Sequence, residues 1–392
     1  MHLLHVPDSI DSDLRAMFEP ADYLIEDRNG AEIMMQQPML RATMTPWTNT
    51  VLSPDPKNIL VVGTAGFGDT FLLTPVLREL KRLHPEATLR IACHPEYRQV
   101  YIGLPYIDGY APYPLPVEYL KSVDQVYTLE HSVQFNDLAK VEHMTDRFAH
   151  HFGLKDFPNK KPDYKISRDE LRWINEKFPR GNRKRLGVQI QAGVRCRTYP
   201  AWVPKELGSN GSVEREPKLE AVITGLVKEG WEIALLGRPG ESKVTNVPYV
   251  HNIASIGLSF RQSVAYLRTC DAFLGPDSSL LHAAGTLDVP AVGLFGPFPW
   301  SLRTKYYTSV FSIQGKEGCD LAPCHHVKWP GLLDFPIDGP CATKGICVPL
   351  ASIKPEQIIA KVRQISRQSE PAVAASPEET IRAGLGGLGG TP

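Results

Sequence analysis

The stretch "NILVVGTAGFGDTFLLTPVLRELKRLHPEA", Asn58 to Ala87, joins an apolar run to a glycine-rich turn, an aspartate and an amphipathic segment. Ile59–Val62 has the unbroken apolar character of a strand buried on both faces. A helix is expected over Phe71–Leu83. Leu72, Leu73, Val76, Leu77 and Leu80 fall on one face, and Arg78, Glu79, Lys81 and Arg82 on the other. Pro75 suits such a helix in its first turn, with Thr74 as cap; deeper in, it kinks the helix. The turn "GTAGFGD" sets Gly63, Gly66 and Gly68 in G-x-x-G-x-G spacing. That is not the dinucleotide G-x-G-x-x-G, and no P-loop lysine follows. Asp69 closes the turn where phosphate loops stay neutral or positive. The helix dipole keeps a carboxylate there ionised, and the ionised carboxylate repels a nearby phosphate. Asp69 is therefore either a helix cap or a proton acceptor.

Around this segment the chain has 392 residues, 42% of them hydrophobic, enough for two or three domains. Its 43 basic and 43 acidic residues balance to a formal charge of +0, so no overall field favours nucleic acid or a membrane surface. The N-terminus lacks the basic start and apolar core of a secretory signal, and no apolar run is long enough to span a bilayer. A soluble, cytoplasmic protein is expected, with its seven cysteines reduced.

After Asn58–Ala87, "TLRIACHP" reads as the next strand and "NDLAKVEHMTDRFAHHFGL" as a helix closing at Gly153. A linker and one helix, "PDYKISRDELRWINEKFPRGNRK", lead to a second series. There "LGVQIQAG", "WEIALLGRPGE", "DAFLGPDSS" and "PAVGLFGP" read as strands, and "PKLEAVITGLVKEG", "SFRQSVAYLRTC" and "LLHAAGTLD" as helices. Two such blocks predict an α/β fold with two doubly wound parallel sheets, which bind ligands at the carboxyl ends of their strands. Residues 1–56 stand apart as an N-terminal extension, with a hairpin expected at Asn29-Gly30. Residues 369–392, rich in Ala, Gly and Pro, are expected to be a disordered tail.

A second constellation occupies "FLGPDSSLLHAAGTLDVPAVGLFGP". Asp277, Ser278 and Ser279 form a strand-end loop opening a helix, where hydroxyls and helix amides can hold a diphosphate. His282 follows one turn into that helix.

Taken together, the two segments resemble the bacterial heptosyltransferases of glycosyltransferase family 9, from about Lys57 to about Arg367. Gly68, Asp69, Thr74, Pro75, Leu77, Leu80, Pro85 and Ala87 match the family's opening "GD…TP…L..L…P.A". Asp277, Ser278, His282, Ala284, Pro290, Leu294, Phe295, Gly296 and Pro297 match "D(T/S)G..H.A…P…LFGP". Ser279 stands where the family has glycine, which restricts the backbone's approach to a phosphate. The resemblance implies a GT-B arrangement, two Rossmann-like domains facing across a cleft, with residues 57–165 on the acceptor side and 166–368 on the donor side. It implies an inverting transferase with Asp69 as general base, a nucleotide-sugar donor such as ADP-heptose, and no organic cofactor. Arg197, with Arg195 as alternate, takes the place of the family's phosphate-binding lysine in "QAGVRCRTYPAW", and Glu241 that of its ribose- or base-contacting acid. The acceptor would be a glycan hydroxyl, as in the lipopolysaccharide core reached from the inner membrane face, or a protein hydroxyl. Tyr101, Tyr106, Tyr110 and Tyr113 are candidates to stack on a sugar or to pack their loop. An NAD-type oxidoreductase is disfavoured by the glycine spacing and by His94 and Pro95 where an acidic residue should follow the second strand. A non-catalytic scaffold is disfavoured by the presence of both Asp69 and His282.

Cys319, Cys324, Cys341 and Cys347 in the loop 319–347 pair as C-x4-C and C-x5-C, a spacing open to structural Zn or Fe or to a reduced, buried cluster. His325 and His326 are alternative ligands. Protein-modifying members of the family carry an iron finger similarly placed, while other members keep cysteines there without metal, so the resemblance leaves both readings open.

Overall fold

The computed structural model describes residues 2–6, 21–25, 55–63, 66–129, 142–191, 199, 202–207, 213–240, 247–296, 298–316 and 347–368. Near the N-terminus, β1 (His2–Val6) and β2 (Ala21–Ile25) pair antiparallel. The first sheet is built from β3 (Asn58–Val62), β4 (Thr88–Ala92), β5 (Gly109–Tyr110) and β7 (Gln125–Thr128). Its order is β5-β4-β3-β7, every pairing parallel. Between β5 and β7, β6 (Leu115–Pro116) leaves to pair with β2 instead. β2 thus has β1 and β6 as its neighbours, and the hairpin expected at Asn29-Gly30 lies outside the described residues.

The second sheet holds β8 (Lys184–Gln189), β11 (Trp231–Leu236), β12 (Val250–Asn252), β13 (Ala272–Pro276), β14 (Ala291–Phe295) and β15 (Val310–Gln314). It runs β12-β11-β8-β13-β14-β15, again wholly parallel. The two doubly wound sheets expected from the alternation are present. An antiparallel pair that the sequence reading did not contain, β9 (Trp202–Leu207) with β10 (Val213–Pro217), stands beside the second sheet.

Helix α1 (Phe67–Leu83) differs from expectation at its start. It begins four residues before Phe71, because Gly66 takes φ 116 and turns the chain straight from β3 into the helix. Pro75 therefore sits in the interior. It cannot donate to the Phe71 carbonyl, and the Thr74 hydroxyl does so instead at 2.8 Å. The pair Thr74-Pro75 is thus a repaired break in the ladder rather than a cap.

The remaining helices used below are α2 (Met144–His151), α3 (Arg168–Lys177), α4 (Lys218–Lys228), α5 (Phe260–Leu267), α6 (Ser279–Thr286), α7 (Ser301–Thr304) and α8 (Pro355–Gln368). Helix α2 starts at Met144, later than the long expected helix; residues 130–141 lie outside the described residues. Serine capping boxes start α3 at Ser167 and α5 at Ser259. Helices α4 and α8 cover one face of the second sheet.

Helix α1 is apolar on two sides. Leu72, Leu73, Val76, Leu77 and Leu80 pack into the core of the first sheet, while Phe71 packs with Leu280, Leu281 and Phe273 of the second. Consequently α1 lies against α6, and the amino ends of these helices, each following a strand's carboxyl end, are brought together. Tyr101 and Tyr106 are buried core residues, so packing accounts for both; Tyr110 and Tyr113 remain part exposed.

Candidate active site

The junction of α1 and α6 gathers Asp69, Asp277 and His282. Asp69 is the third residue of α1, and Gly66 holds the cap position, so Asp69 is not the N-cap. Gly63 ends β3 and donates its N–H to the Ala92 carbonyl at 2.7 Å. Gly68 faces the partner helix. A Cβ there would stand 3.2 Å from the His282 ring, which makes Gly68 the point of closest approach.

On the other side, Asp277 ends the β13 loop and is buried. Its Oδ1 lies 3.6 Å from His282 Nε2. His282 is buried as well, with Nδ1 3.0 Å from the Tyr307 hydroxyl. Burial pushes the Tyr307 phenol well above its ordinary range, so it stays protonated. Either partner can donate in that hydrogen bond, according to the imidazole tautomer, and Nε2 is the ring nitrogen that faces Asp277. The Ser278 hydroxyl accepts from the Leu281 N–H at 3.3 Å and caps α6, and Ser279 is that helix's first residue. Capping already gives Ser278 a structural role.

Two arginines that the sequence reading passed over complete the cluster. Arg303 of α7 is buried. Its Nη1 is 3.9 Å from Asp69 Oδ1 and its Nε 3.7 Å from Asp277 Oδ2. Its guanidinium also lies 4.7 Å over the Phe298 ring. Arg147 of α2 is buried too, and its pKa is brought down to about 10, first by burial, then by the nearby Arg303 charge, with Asp69 opposing. Their signals were faint. Arg147 shares the apolar face of α2 with Met144 and Phe148, and Arg303 sits in a four-residue helix just past "LFGP".

Arg195, Arg197 and Glu241 lie outside the described residues, as do Cys319, Cys324 and Cys341. Cys347 is buried and packs against Gly296 and Leu350. Among the described residues no three His, Cys, Asp or Glu side chains converge as a metal site, and no helix is long and apolar enough to cross a membrane.

Residues 216–320, which include the Asp277–His282 loop and Arg303, match the family model described as glycosyltransferase family 9 (heptosyltransferase). Over that stretch, about a quarter of its length, the chain is similar to this family. Solved structures agree with it in fold. The E. coli ADP-heptose lipopolysaccharide heptosyltransferase II shares 16% identity, with TM-score 0.59, over 80% of this chain and 100% of that one. A family 9 glycosyl transferase from Veillonella parvula shares 16% at TM-score 0.58, over 81% and 99%. The iron-containing dodecameric glycosyltransferase TibC from enterotoxigenic E. coli shares 15% at TM-score 0.54, over 80% and 77%. At such identities the likeness is one of fold, here GT-B. No curated protein sequence matches this chain.

Proposed function

We propose that the protein transfers a heptose from ADP-heptose to an acceptor hydroxyl with inversion, and that Asp69 is the general base. The observation carrying this reading is that a carboxylate from the first sheet meets Asp277, His282 and Arg303 of the second at the carboxyl ends of both sheets. In the reaction the acceptor O–H gives its proton to Asp69 as its oxygen bonds to the anomeric carbon. The bond from that carbon to the diphosphate breaks, and ADP leaves with the electron pair. The α6 amides, Ser279 and His282 would face the diphosphate, with Arg197 or Arg195 and Glu241 completing the donor site. TibC, whose structure is known with ADP-D-beta-D-heptose, supports that donor. The division into an acceptor domain, 57–165, and a donor domain, 166–368, is part of the reading, as is a cytoplasmic location with a lipopolysaccharide-core glycan as acceptor. A protein hydroxyl is the alternative acceptor.

Calorimetric titration with ADP, UDP, GDP and NAD tests it. Preferential ADP binding is expected. A preference for UDP or GDP would keep the mechanism and change the sugar, while selective NAD binding would overturn it.

We also propose that Cys319, Cys324, Cys341 and Cys347 hold a structural iron or zinc, by analogy with iron-containing TibC. Cys347 fits as the anchored end of such a loop, being buried at the start of the helical turn Val348–Ser352. Elemental analysis of the purified protein should find about one metal per chain, by the four-thiolate stoichiometry, and none in Cys341→Ser. A metal-free native protein would leave a reduced cysteine cluster.

A further inference from the structure

Asp69 is surrounded by charge from both halves of the molecule. Arg303 approaches it from α7, Arg147 from α2, and Asp277 and His282 stand across the junction on the β13 loop and α6. Tyr97, beyond β4, feels the Asp69 charge as well, though burial is the larger reason that its phenol is raised. His143, at the start of α2, is near enough to His282 and Lys305 for their charges to act on it. Arg303 is paired with both carboxylates, the one on α1 and the one on the β13 loop. Its stem is fixed by Phe298, and Nη1 lies 3.2 Å from Met144 Sδ of α2, so its position depends on the first half as well.

We propose that Arg303 is a positioning residue that couples the base to the donor loop: its planar guanidinium, spanning Asp69 and Asp277, holds the Asp69 carboxylate ionised and aligned when the two halves are docked. The proposal rests on Asp69 being the general base. A guanidinium suits the task because its nitrogens diverge in one rigid plane, whereas a lysine ammonium is a single point charge and faces one carboxylate at a time. Removing the cation takes one nearby opposite charge from Asp69, which makes its protonation easier.

The test is the pH profile of kcat/KM for native enzyme, Arg303→Gln and Arg303→Lys. The acidic limb of Arg303→Gln is expected to move up by about one pH unit, the scale set by losing one nearby opposite charge. Arg303→Lys should keep the limb near its native place while kcat falls about tenfold through lost alignment, a modest share of what a misplaced catalytic group costs. Arg303→Met preserves packing against Phe298 and replaces the glutamine variant if that fails to fold. A limb that stays put in the charge-removing variant, with only the rate lowered, would mean a purely structural arginine and overturn the proposal. Asp69→Asn is assayed alongside. If it retains its rate, the base reading falls and this inference with it. If it is inactive while the limb of the Arg303 variant is unmoved, this inference alone falls.

Discussion

Asp69→Asn is expected to lower kcat by about 10²- to 10⁴-fold, the usual worth of a positioned general base. Asparagine keeps the size and the place in the first turn of α1, but its amide oxygen cannot take the acceptor's proton. Affinity for ADP should change little, because the groups assigned to the donor lie on the second sheet: the β13 loop, α6 and the segment following β8. Turnover and calorimetric Kd, measured on the same preparation, separate these effects. A variant that keeps most of its rate would remove Asp69 from catalysis, and a parallel loss of ADP binding would make it a donor ligand. Stability should fall too, since the substitution leaves Arg147 and Arg303, two buried like charges, with one counter-charge fewer. That is opposite to the usual gain when a strained catalytic residue is neutralised, so the change in Tm reports independently on the cluster.

Where the local pattern determined the structure, the sequence was sufficient. The apolar run at Ile59–Val62 and the strand–helix alternation rest on periodicity, and each occurs as expected. The start of α1 was misjudged for a local reason with a non-local consequence. Glycines at 66 and 68 read as loop, yet Gly66 supplies the turn and Gly68 is needed inside the helix, where it lets His282 approach. Proline at 75 argued for a late start because the hydroxyl that compensates it one residue earlier was read as a cap. The pairing of β2 with β1 and β6 depends on strands far apart in sequence, and no turn signal could reveal it. Asp69 and Asp277 were legible because Gly68 and Ser278 mark them just past a strand, and His282 because it lies one turn into the helix that follows Asp277. Arg147 and Arg303 were not, since an arginine on a helix reads as solvent-facing until tertiary packing buries it. Only the contact of α1 with α6, and of α7 with α2, shows what they face.

Acid should destabilise the protein through His143, and the sign follows from its surroundings. The residue caps α2, its Nδ1 accepting the Thr145 N–H at 3.2 Å, and its ring meets Tyr306 edge to face at 4.5 Å. Burial pushes its pKa down to about 3 from 6.5, with Asp146 opposing the shift. A protonated Nδ1 cannot accept, so the charged form would lose the cap as well as its hydration. The unfolded chain takes up this proton as pH falls through about 6.5, while the folded one refuses it down to pH about 3. The stabilisation is therefore complete above pH about 6.5 and declines between about 6.5 and 3, at close to 1.4 kcal/mol per pH unit once below the upper value. Between pH 7 and pH 5 the loss is about 2 kcal/mol. The carboxylates do not mimic it in that window: Asp146, held down to about 2 by Lys160, Lys305 and Tyr306 against the opposing effect of burial, acts only at lower pH. His143→Asn offers a strong cap with no titration. Its stability at pH 7 should be lower, because the smaller side chain leaves a gap beside Tyr306, but its decline from pH 7 to pH 5 should be smaller than the native one by that amount. Urea midpoints at the two pH values measure the difference, and equal declines would exclude His143 as the source.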